Sequence, residues 1–390
     1  MTGAYRRLLL PVYLPSLLMS VSHDALLVLL PLYVLDSGLG AAFAAFVIGL
    51  RGLGILAFDV PAGKLVMRFG ERAVLLIGLA AVIAGFVILA ASRTAIPIAI
   101  AALLFGVGFA AWMLGRQSYI AAICAPQETG RAITVMAGIQ RVGGFAGPLL
   151  GGMVAQFAGY TAAFIGCAVF AVLAGLFVHR HAELVATEAA EPGRETSTLA
   201  ILHEHRRVFA TAGFAAMVLQ LMRATRQLLI PLFGQSVGLD VALIGAIYSL
   251  SAAIDMCLFY PVGLLVDRRG RRWSAIPAMV LFAIGLALLP LVDNPRTLAG
   301  VALLLGFANG CGTGIVMIMG ADLSRRAAHR GAFLSVWRLM ADTGTSGAPL
   351  LTSAVINIAG LATASAVVAG LGFLGAAVMI LLVAETHRPH

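Results

Sequence analysis

Runs of about twenty apolar residues recur along nearly the whole chain of 390 residues. Each run can form a helix long enough to cross a hydrocarbon core roughly 30 Å thick. Hydrophobic residues make up 61% of the sequence and charged residues only 11%, a balance that excludes an ordinary water-soluble domain. The pattern predicts an all-α membrane protein with twelve transmembrane spans, at residues 8–35, 41–63, 73–91, 96–120, 132–156, 159–179, 208–234, 241–265, 273–292, 297–321, 331–356 and 360–384.

Basic residues are distributed unevenly between the ends of these spans. Only Arg93 and Arg296 lie in the loops on one side, while the other side and both termini carry most of the remaining arginines. The positive-inside rule therefore predicts that both termini are cytoplasmic. The polar residues 181–207 are expected to form a cytoplasmic linker between a six-helix bundle at 1–180 and another at 208–390. The net charge of +9 reflects this orientation and the adjoining lipid headgroups, and it does not indicate nucleic-acid binding.

The chain repeats itself at an offset of 200 residues. The loop PAGKLVMRFGER (Pro61–Arg72) recurs as PVGLLVDRRGRR (Pro261–Arg272), and LLPLYVLDSGL from Leu29 matches LIPLFGQSVGL from Leu229. The repeat predicts two pseudo-symmetric halves. Because such membrane proteins place a pathway between their halves, the architecture favours a transporter.

The second copy of the loop resembles the signature of the major facilitator superfamily, and the resemblance extends over essentially the whole chain. It implies a monomeric secondary transporter with two six-helix bundles and alternating access. It also implies gating roles for the loop positions Gly63, Arg68, Gly70, Arg72, Gly263, Asp267, Arg268, Gly270 and Arg272. The first copy departs from the signature, with Met67 in place of the aspartate and Glu71 in place of a basic residue. Asp59 is expected to replace that aspartate as a gate latch, or else the latch is weaker.

A glycine-rich element in the fifth span, GGFAGPLLGG, starts at Gly143. Small residues at every fourth position allow two helices to approach closely, and a proline bends its helix. The element resembles the GxxxGPxxGG pattern of the drug/proton antiporter branch of the superfamily, which implies conformational roles for Gly143, Gly147, Pro148 and Gly151. The alternative is a general packing surface for a membrane helix.

Charged residues inside the spans are expensive and usually functional. Asp24 in the first span is the main candidate for carrying a proton, because the proton affinity of a carboxylate changes when its charged neighbour changes. The alternative is a fixed counter-ion to an arginine of the seventh span. Asp255 is the second candidate. His23 ranks lower, since it points about 100° away from Asp24 around a helix.

Further residues are candidates for a substrate cavity: Arg116, Arg141, Arg223, Arg226, Arg338, Asp342, Trp112, Tyr119 and Trp337. Several have simpler structural readings. Arg116 is placed to pair with Asp59, Arg338 and Asp342 are spaced for a local ion pair, and the aromatic residues are also suited to packing. Six arginines against four aspartates in the spans leave organic anions or zwitterions open as cargo.

The sequence predicts a proton-coupled efflux antiporter for small amphipathic compounds in a bacterial inner membrane, with the proton as the coupling ion and no other cofactor or metal. Walker, nucleophile-elbow and HExxH motifs are absent from the sequence, which argues against ATP-driven transport and enzymatic activity. One alternative is a proton-coupled or facilitative importer of a metabolite or organic anion. The other is a membrane receptor or chaperone that has a transporter scaffold but transports nothing.

Overall fold

The structure is a computed structural model that describes residues 8–182, 198–325, 327 and 329–385. In this part of the chain the regular structure is helical, and no β-strand occurs. The α-helices are α1 (Leu14–Asp36), α2 (Gly40–Ala91), α3 (Ala95–Ile123), α4 (Pro126–His181), α5 (Thr198–Glu204), α6 (Arg206–Val208), α7 (Phe214–Ser236), α8 (Val241–Arg269), α9 (Arg272–Leu288), α10 (Pro295–Cys311), α11 (Ile315–Ser324) and α12 (Arg330–Leu381).

Three of these helices are too long to be single spans. α2 and α12 have 52 residues and α4 has 56, whereas about 20 residues cross the hydrocarbon core. Each one breaks at a glycine with positive φ: Gly70 at 78°, Gly159 at 86° and Gly360 at 86°. Nine helical stretches in the described residues are long and apolar enough to span a membrane. Dividing three of them at these glycines gives twelve segments, although twelve crossings stay a prediction.

The local structure repeats at the same offset of 200 residues as the sequence. A π-helical turn precedes α1 at Leu9–Tyr13, and another precedes α7 at Phe209–Gly213. The basic loop turns at Gly70 in the first copy and at Gly270, with φ of 100°, in the second. Glycine adopts this left-handed conformation without the steric penalty that a Cβ imposes. The repeated sequence therefore forms the same turn twice.

The predicted span at 297–321 is interrupted in the structure. α10 ends at Cys311 and α11 begins at Ile315, and Gly314 between them has a φ of 73°. The matching helix of the first half, α3, continues without interruption from Ala95 to Ile123. The difference has a local cause, since Gly312-Thr-Gly314 stands where the first half has Trp112-Met-Leu114.

The chain divides into two compact units: Met1–Ala190 with Leu239–Ser249, and Glu191–Gly238 with Leu250–His390. Residues 239–249 belong to the first unit because they pack on α4. The N–H of Val241 donates to Oε1 of Gln156 at 3.2 Å, and a Cβ on Gly152 would lie 2.8 Å from the carbonyl oxygen of Val241.

Part of the predicted linker at 181–207 lies outside the described residues, and its last part is helical. α5 and α6 occupy 198–208, where Ile201 is buried. The division at 1–180 and 208–390 stays a prediction.

Candidate functional site

Asp24 lies half-buried in the middle of α1, against the glycine-rich part of α4. A Cβ on Gly147 would lie 3.1 Å from the Cβ of Asp24 and 2.5 Å from the carbonyl oxygen of Val21. A Cβ on Gly144 would lie 3.9 Å from Oδ2 of Asp24. The helices approach this closely because glycine has no side chain. The structure thus brings together two features that the sequence suggested separately, the carboxylate and the glycine-rich element.

The contact between α1 and α4 extends to both sides of Asp24. Gly143 lies against Ser20, and a Cβ on Gly151 would lie 2.8 Å from the Cβ of Ala25. Pro148 lies within α4 between these glycines, and its carbonyl oxygen faces Gly245. Arg141, one turn before Gly144, is half-buried on the same helix.

Arg51 of α2 supplies the positive charge that acts on Asp24. Asp24 lies twelve residues before the end of α1 and Arg51 eleven residues after the start of α2, which places both about 16–18 Å along their helices from the connecting turn. An arginine of the seventh span as a fixed counter-ion was the alternative reading of Asp24, whereas the arginine whose charge acts on Asp24 is Arg51 of α2. The equal distances from the turn are the signal that could have identified Arg51.

Two nitrogen atoms of the Arg51 guanidinium lack a hydrogen-bond acceptor in the described residues. Arg51 is only 8% exposed, and its Nε and Nη1 have no hydrogen-bond acceptor within the described part of the chain. Besides Asp24, the phenol of Tyr248 acts electrostatically on Arg51. A buried cation normally has several acceptors, so this arginine retains donors that a ligand can use.

His23 points away from the glycine-rich part of α4. Its ring stacks on Phe109 of α3, with ring centroids 4.0 Å apart and planes 12° apart. It borders a cavity of about 10 Å³ whose other walls are Met19, Leu26, Val82, Phe86, Phe105 and Phe109. The cavity is too small to hold a cargo molecule. Its lining is also almost entirely apolar, since His23 is the one polar side chain among these residues.

Arg116 lies deep inside the first unit and is 2% exposed. Its Nη1 donates to Oγ of Ser16 at 3.4 Å and its Nη2 to the sulfur of Met113 at 2.9 Å. These contacts replace the predicted pairing with Asp59, which is half-buried on α2. Two aromatic cavity candidates of the same unit are also packed inside it, Trp112 at 2% and Tyr119 at 1% exposure.

In the second unit, polar side chains converge on the interruption between α10 and α11. Oδ1 of Asp255 accepts from the hydroxyl of Thr313 at 3.2 Å, and Arg223 donates to the carbonyl oxygen of Gly312. Arg223 also donates to Oε1 of Gln220 at 2.8 Å. These contacts satisfy backbone and side-chain groups that the break in the helix exposes.

The remaining candidates of the second unit have structural contacts. Arg226 donates to Oγ of Ser251 at 3.0 Å. Nε1 of Trp337 donates to the carbonyl oxygen of Val316 at 2.9 Å. Arg338 and Asp342 form the predicted local ion pair at 3.4 Å, with Arg338 well exposed.

The last arginine of each basic loop makes the same kind of contact. Arg72 donates to the carbonyl oxygen of His179, and Arg272 donates to that of Ile380 at 2.6 Å. Both carbonyls lie in the final turns of α4 and α12, where intrahelical donors run out. Each arginine therefore caps the last helix of its half.

The two loops differ at the preceding position. Arg271 pairs with Asp322 at 2.9 Å, whereas Glu71 is 4% exposed and accepts from Oγ of Ser118 at 3.0 Å. At this position the second loop therefore forms an ion pair, whereas the first loop forms a hydrogen bond between a carboxylate and a hydroxyl group. Glu71 departs from the loop signature, and its contact with Ser118 could not be predicted from that departure.

Most of the other gating candidates are exposed or half-buried. Met67 is 59% exposed, and the guanidinium of Arg68 lies 5.1 Å from the ring centroid of Phe69. Gly63 is half-buried, whereas Gly263 and Arg268 are exposed. The side chain of Asp267 lies outside the described residues, so its role as a latch stays a prediction.

Comparison with known proteins identifies the family. The family model described as Major Facilitator Superfamily matches residues 12–257 and 212–390. The chain belongs to the major facilitator superfamily. As a member of this superfamily it is a multi-pass membrane transporter and not an enzyme.

The curated relatives of this superfamily member include proteins named Multidrug resistance protein MdtH. The one from Aeromonas hydrophila subsp. hydrophila is 24% identical over 296 residues, covering 75% of this chain and 72% of the relative. The one from Aeromonas salmonicida is 24% identical over 270 residues, covering 66% and 67%.

Two solved structures show the same fold. A crystal structure of a POT family transporter in complex with a thioalcohol-conjugated peptide has a TM-score of 0.78 at 11% identity, covering 96% of this chain and 95% of the other. The crystal structure of the human organic anion transporter MFSD10 has a TM-score of 0.66 at 16% identity, covering 97% and 100%.

Proposed function

We propose that the protein is a proton-coupled secondary transporter of the bacterial inner membrane that exports small amphipathic compounds by antiport. In this proposal Asp24 takes up and releases the transported proton. The observation that carries it is the position of Asp24, half-buried in the middle of α1 with Arg51 at the same depth on α2.

The pair has the chemistry that coupling requires. A charge at the centre of a membrane helix costs about 2.5–3.5 kcal/mol on insertion scales, so it needs a partner. The carboxylate of Asp24 can be neutralised either by the guanidinium of Arg51 or by a proton. A conformational change that separates the two side chains therefore changes the proton affinity of Asp24.

The relatives and the glycine-rich element support the direction of transport. The curated relatives carry the name multidrug resistance protein, which favours export. The element that resembles the drug/proton antiporter pattern lies directly against Asp24. A rearrangement between α1 and α4 would thus act on the proposed proton site.

Co-transport of a proton with an organic anion is the second candidate function. The specific observation in its favour is Arg51, whose buried guanidinium retains unsatisfied donors. An anion bound there would neutralise Arg51 and leave Asp24 to a proton. Import driven by the inward proton gradient would follow.

Other residues of the chain have proposed roles in coupling and gating. Asp255, held by Thr313 beside the helix interruption, is the second proton-site candidate. The two basic loops, with Asp59 and the glycines of α4, are proposed to control alternating access. We further propose a monomer with both termini in the cytoplasm.

Proton movement in proteoliposomes tests the proposal. A pH-sensitive dye is enclosed, a pH gradient is imposed, and cationic, neutral and anionic compounds are added in turn. We expect that at least one compound moves protons in wild-type vesicles and that Asp24→Asn abolishes this movement. The direction of the proton relative to the compound separates antiport from co-transport.

Asp36→Asn is the matched control for this experiment. Asp36 ends the same helix but is exposed and pairs with Arg93 at 2.9 Å, so its loss should leave coupling intact. Transport that continues unchanged after both the pH gradient and the membrane potential are collapsed would exclude proton coupling.

A further inference from the structure

The end of the predicted linker packs against α12. Ile201 of α5 is buried, and the ring of His205, which follows α5, meets the ring of Phe333 edge-on with centroids 5.2 Å apart. Phe333 is also buried and stacks on Phe209, in the π-helical turn before α7, with centroids 4.9 Å apart. This part of the linker is therefore a packed element of the second unit and not a free connection.

The aromatic contacts continue from Phe333 to α11. The rings of Phe333 and Trp337, one turn apart on α12, have centroids 6.5 Å apart and planes 13° apart. Nε1 of Trp337 donates to the carbonyl oxygen of Val316 in the first turn of α11 at 2.9 Å. The indole lies directly against α11, since a Cβ on Gly320 would lie 2.6 Å from Nε1. His205, Phe333 and Trp337, here called the aromatic row, thus connect the linker to α11.

The orientation of α11 depends on contacts of this kind. Around the interruption, backbone hydrogen bonds span three residues: the N–H of Thr313 donates to the carbonyl oxygen of Gly310 at 3.2 Å, and that of Ile315 to the carbonyl oxygen of Gly312 at 3.3 Å. Such a break permits a change of direction that a continuous α-helix resists. The neighbours of α11 therefore determine how it is oriented relative to α10.

We propose that the last part of the linker sets the orientation of α11 through the aromatic row. Because the linker is the covalent connection between the two sequence halves, a pull on the linker would act on the interrupted helix. The sequence of the first half agrees with this role: Ile133 and Ala137 stand at the positions of Phe333 and Trp337, and the corresponding helix α3 is continuous. The inference does not depend on the proposed transport function.

Hydrogen-exchange mass spectrometry of the purified full-length protein tests the proposal, with peptides that cover residues 312–324. We expect His205→Ala to accelerate exchange in this segment about three- to tenfold, the range that corresponds to the loss of one aromatic contact. His203→Ala is the matched control, since it removes the same kind of side chain from an exposed position in the last turn of α5. It should leave exchange in α11 unchanged.

Two conservative variants guard against simple misfolding. His205→Phe keeps an aromatic ring at the start of the row and should exchange almost as the wild type does. Trp337→Phe keeps a ring but removes the N–H that holds Val316, so it should accelerate exchange in α11 about fivefold. When His205→Ala is added to Trp337→Phe, its effect on α11 should be smaller than in the wild type, because the last contact of the row is already lost.

Four results would overturn the inference. The first two are exchange in α11 that His205→Ala leaves unchanged and equal acceleration by His203→Ala. The third is additive effects of His205→Ala and Trp337→Phe, which would mean that the two residues act on α11 independently. The fourth is equal acceleration in peptides of α9, residues 272–288, which would show that His205→Ala destabilises the whole unit.

Discussion

The contact between α1 and α4 depends on single glycines beside Asp24. Gly147 faces the backbone of α1, and a Cβ there would lie 2.5 Å from the carbonyl oxygen of Val21 and 2.8 Å from the amide nitrogen of Ala25. Backbone atoms cannot move aside as a flexible side chain can. A methyl group at this position therefore has to separate the two helices.

Gly147→Ala is expected to destabilise the protein by about 1–3 kcal/mol, the usual cost of overpacking, and to weaken proton coupling by displacing Asp24. Thermal unfolding in detergent and the vesicle assay measure the two effects. Gly138→Ala is the matched control on the same helix, since a Cβ there has no atom within 4 Å. Equal melting temperatures for the two variants would contradict the role of close approach.

At the scale of single residues the sequence revealed Asp24 but not Arg51, whose charge acts on Asp24. Asp24 was identifiable because carboxylates within apolar spans are rare and costly. Arg51 was visible for the same reason but had no assigned role, since several arginines were available and spacing along one chain does not determine which helices are neighbours. Arg116 shows the same limit: its acceptors, Ser16 and Met113, carry no charge that would have predicted them.

Among the helices, the caps on α4 and α12 give the repeated basic loop a structural purpose. Arg72 and Arg272 reach carbonyl oxygens in the final turns of these helices. A cation at a helix C-terminus also interacts favourably with the helix dipole. The loop thus fastens the last segment of each half to the second and third.

Arg272→Gln is expected to loosen the end of α12. Losing one charge-assisted hydrogen bond of about 1.5 kcal/mol should accelerate amide hydrogen exchange near Ile380 by about tenfold. Hydrogen-exchange mass spectrometry of peptides from the end of α12 measures this change. Arg131→Gln, which changes an exposed arginine of α4, is the control, and unchanged exchange in Arg272→Gln would rule out the cap.

The positions of the helical stretches followed from the sequence more fully than their continuity did. Apolar runs indicated where the chain is helical, and the offset of 200 residues predicted two similar halves, which turn alike at Gly70 and Gly270. The interruption of the tenth span was missed because two glycines in an apolar run also suit an unbroken membrane helix. Only the left-handed conformation of Gly314 distinguishes the two cases.

For the molecule as a whole, the distribution of arginines is the main determinant of topology. The loop holding Arg93 is predicted to lie on the side of the membrane opposite the cytoplasm, and the C-terminus in the cytoplasm. A phosphatase fused after residue 385 should be inactive and a fluorescent protein fused there should fluoresce, while fusions at Arg93 should give the reverse. Phosphatase activity at the C-terminal fusion would invert the proposed orientation.

The superfamily could be predicted from the sequence because composition, repeat and loop signature agree over the whole chain. The residues that make up the first unit could not be predicted from the sequence. Residues 239–249 join it through contacts such as Val241 with Gln156, which link positions 85 residues apart. Contacts between residues so far apart in the chain produce no periodic pattern in a single sequence.

The interruption at Gly312–Gly314 also predicts a mechanical difference between the two halves. α3 is one hydrogen-bonded rod of 29 residues, so a displacement at one end reaches the other. Its counterpart consists of rods of 17 and 10 residues that meet at a joint. We expect a displacement at one end of α3 to be transmitted along the whole helix, whereas in the second unit α10 and α11 can change their angle at the interruption. The two copies of the duplicated helix are therefore expected to differ in bending stiffness.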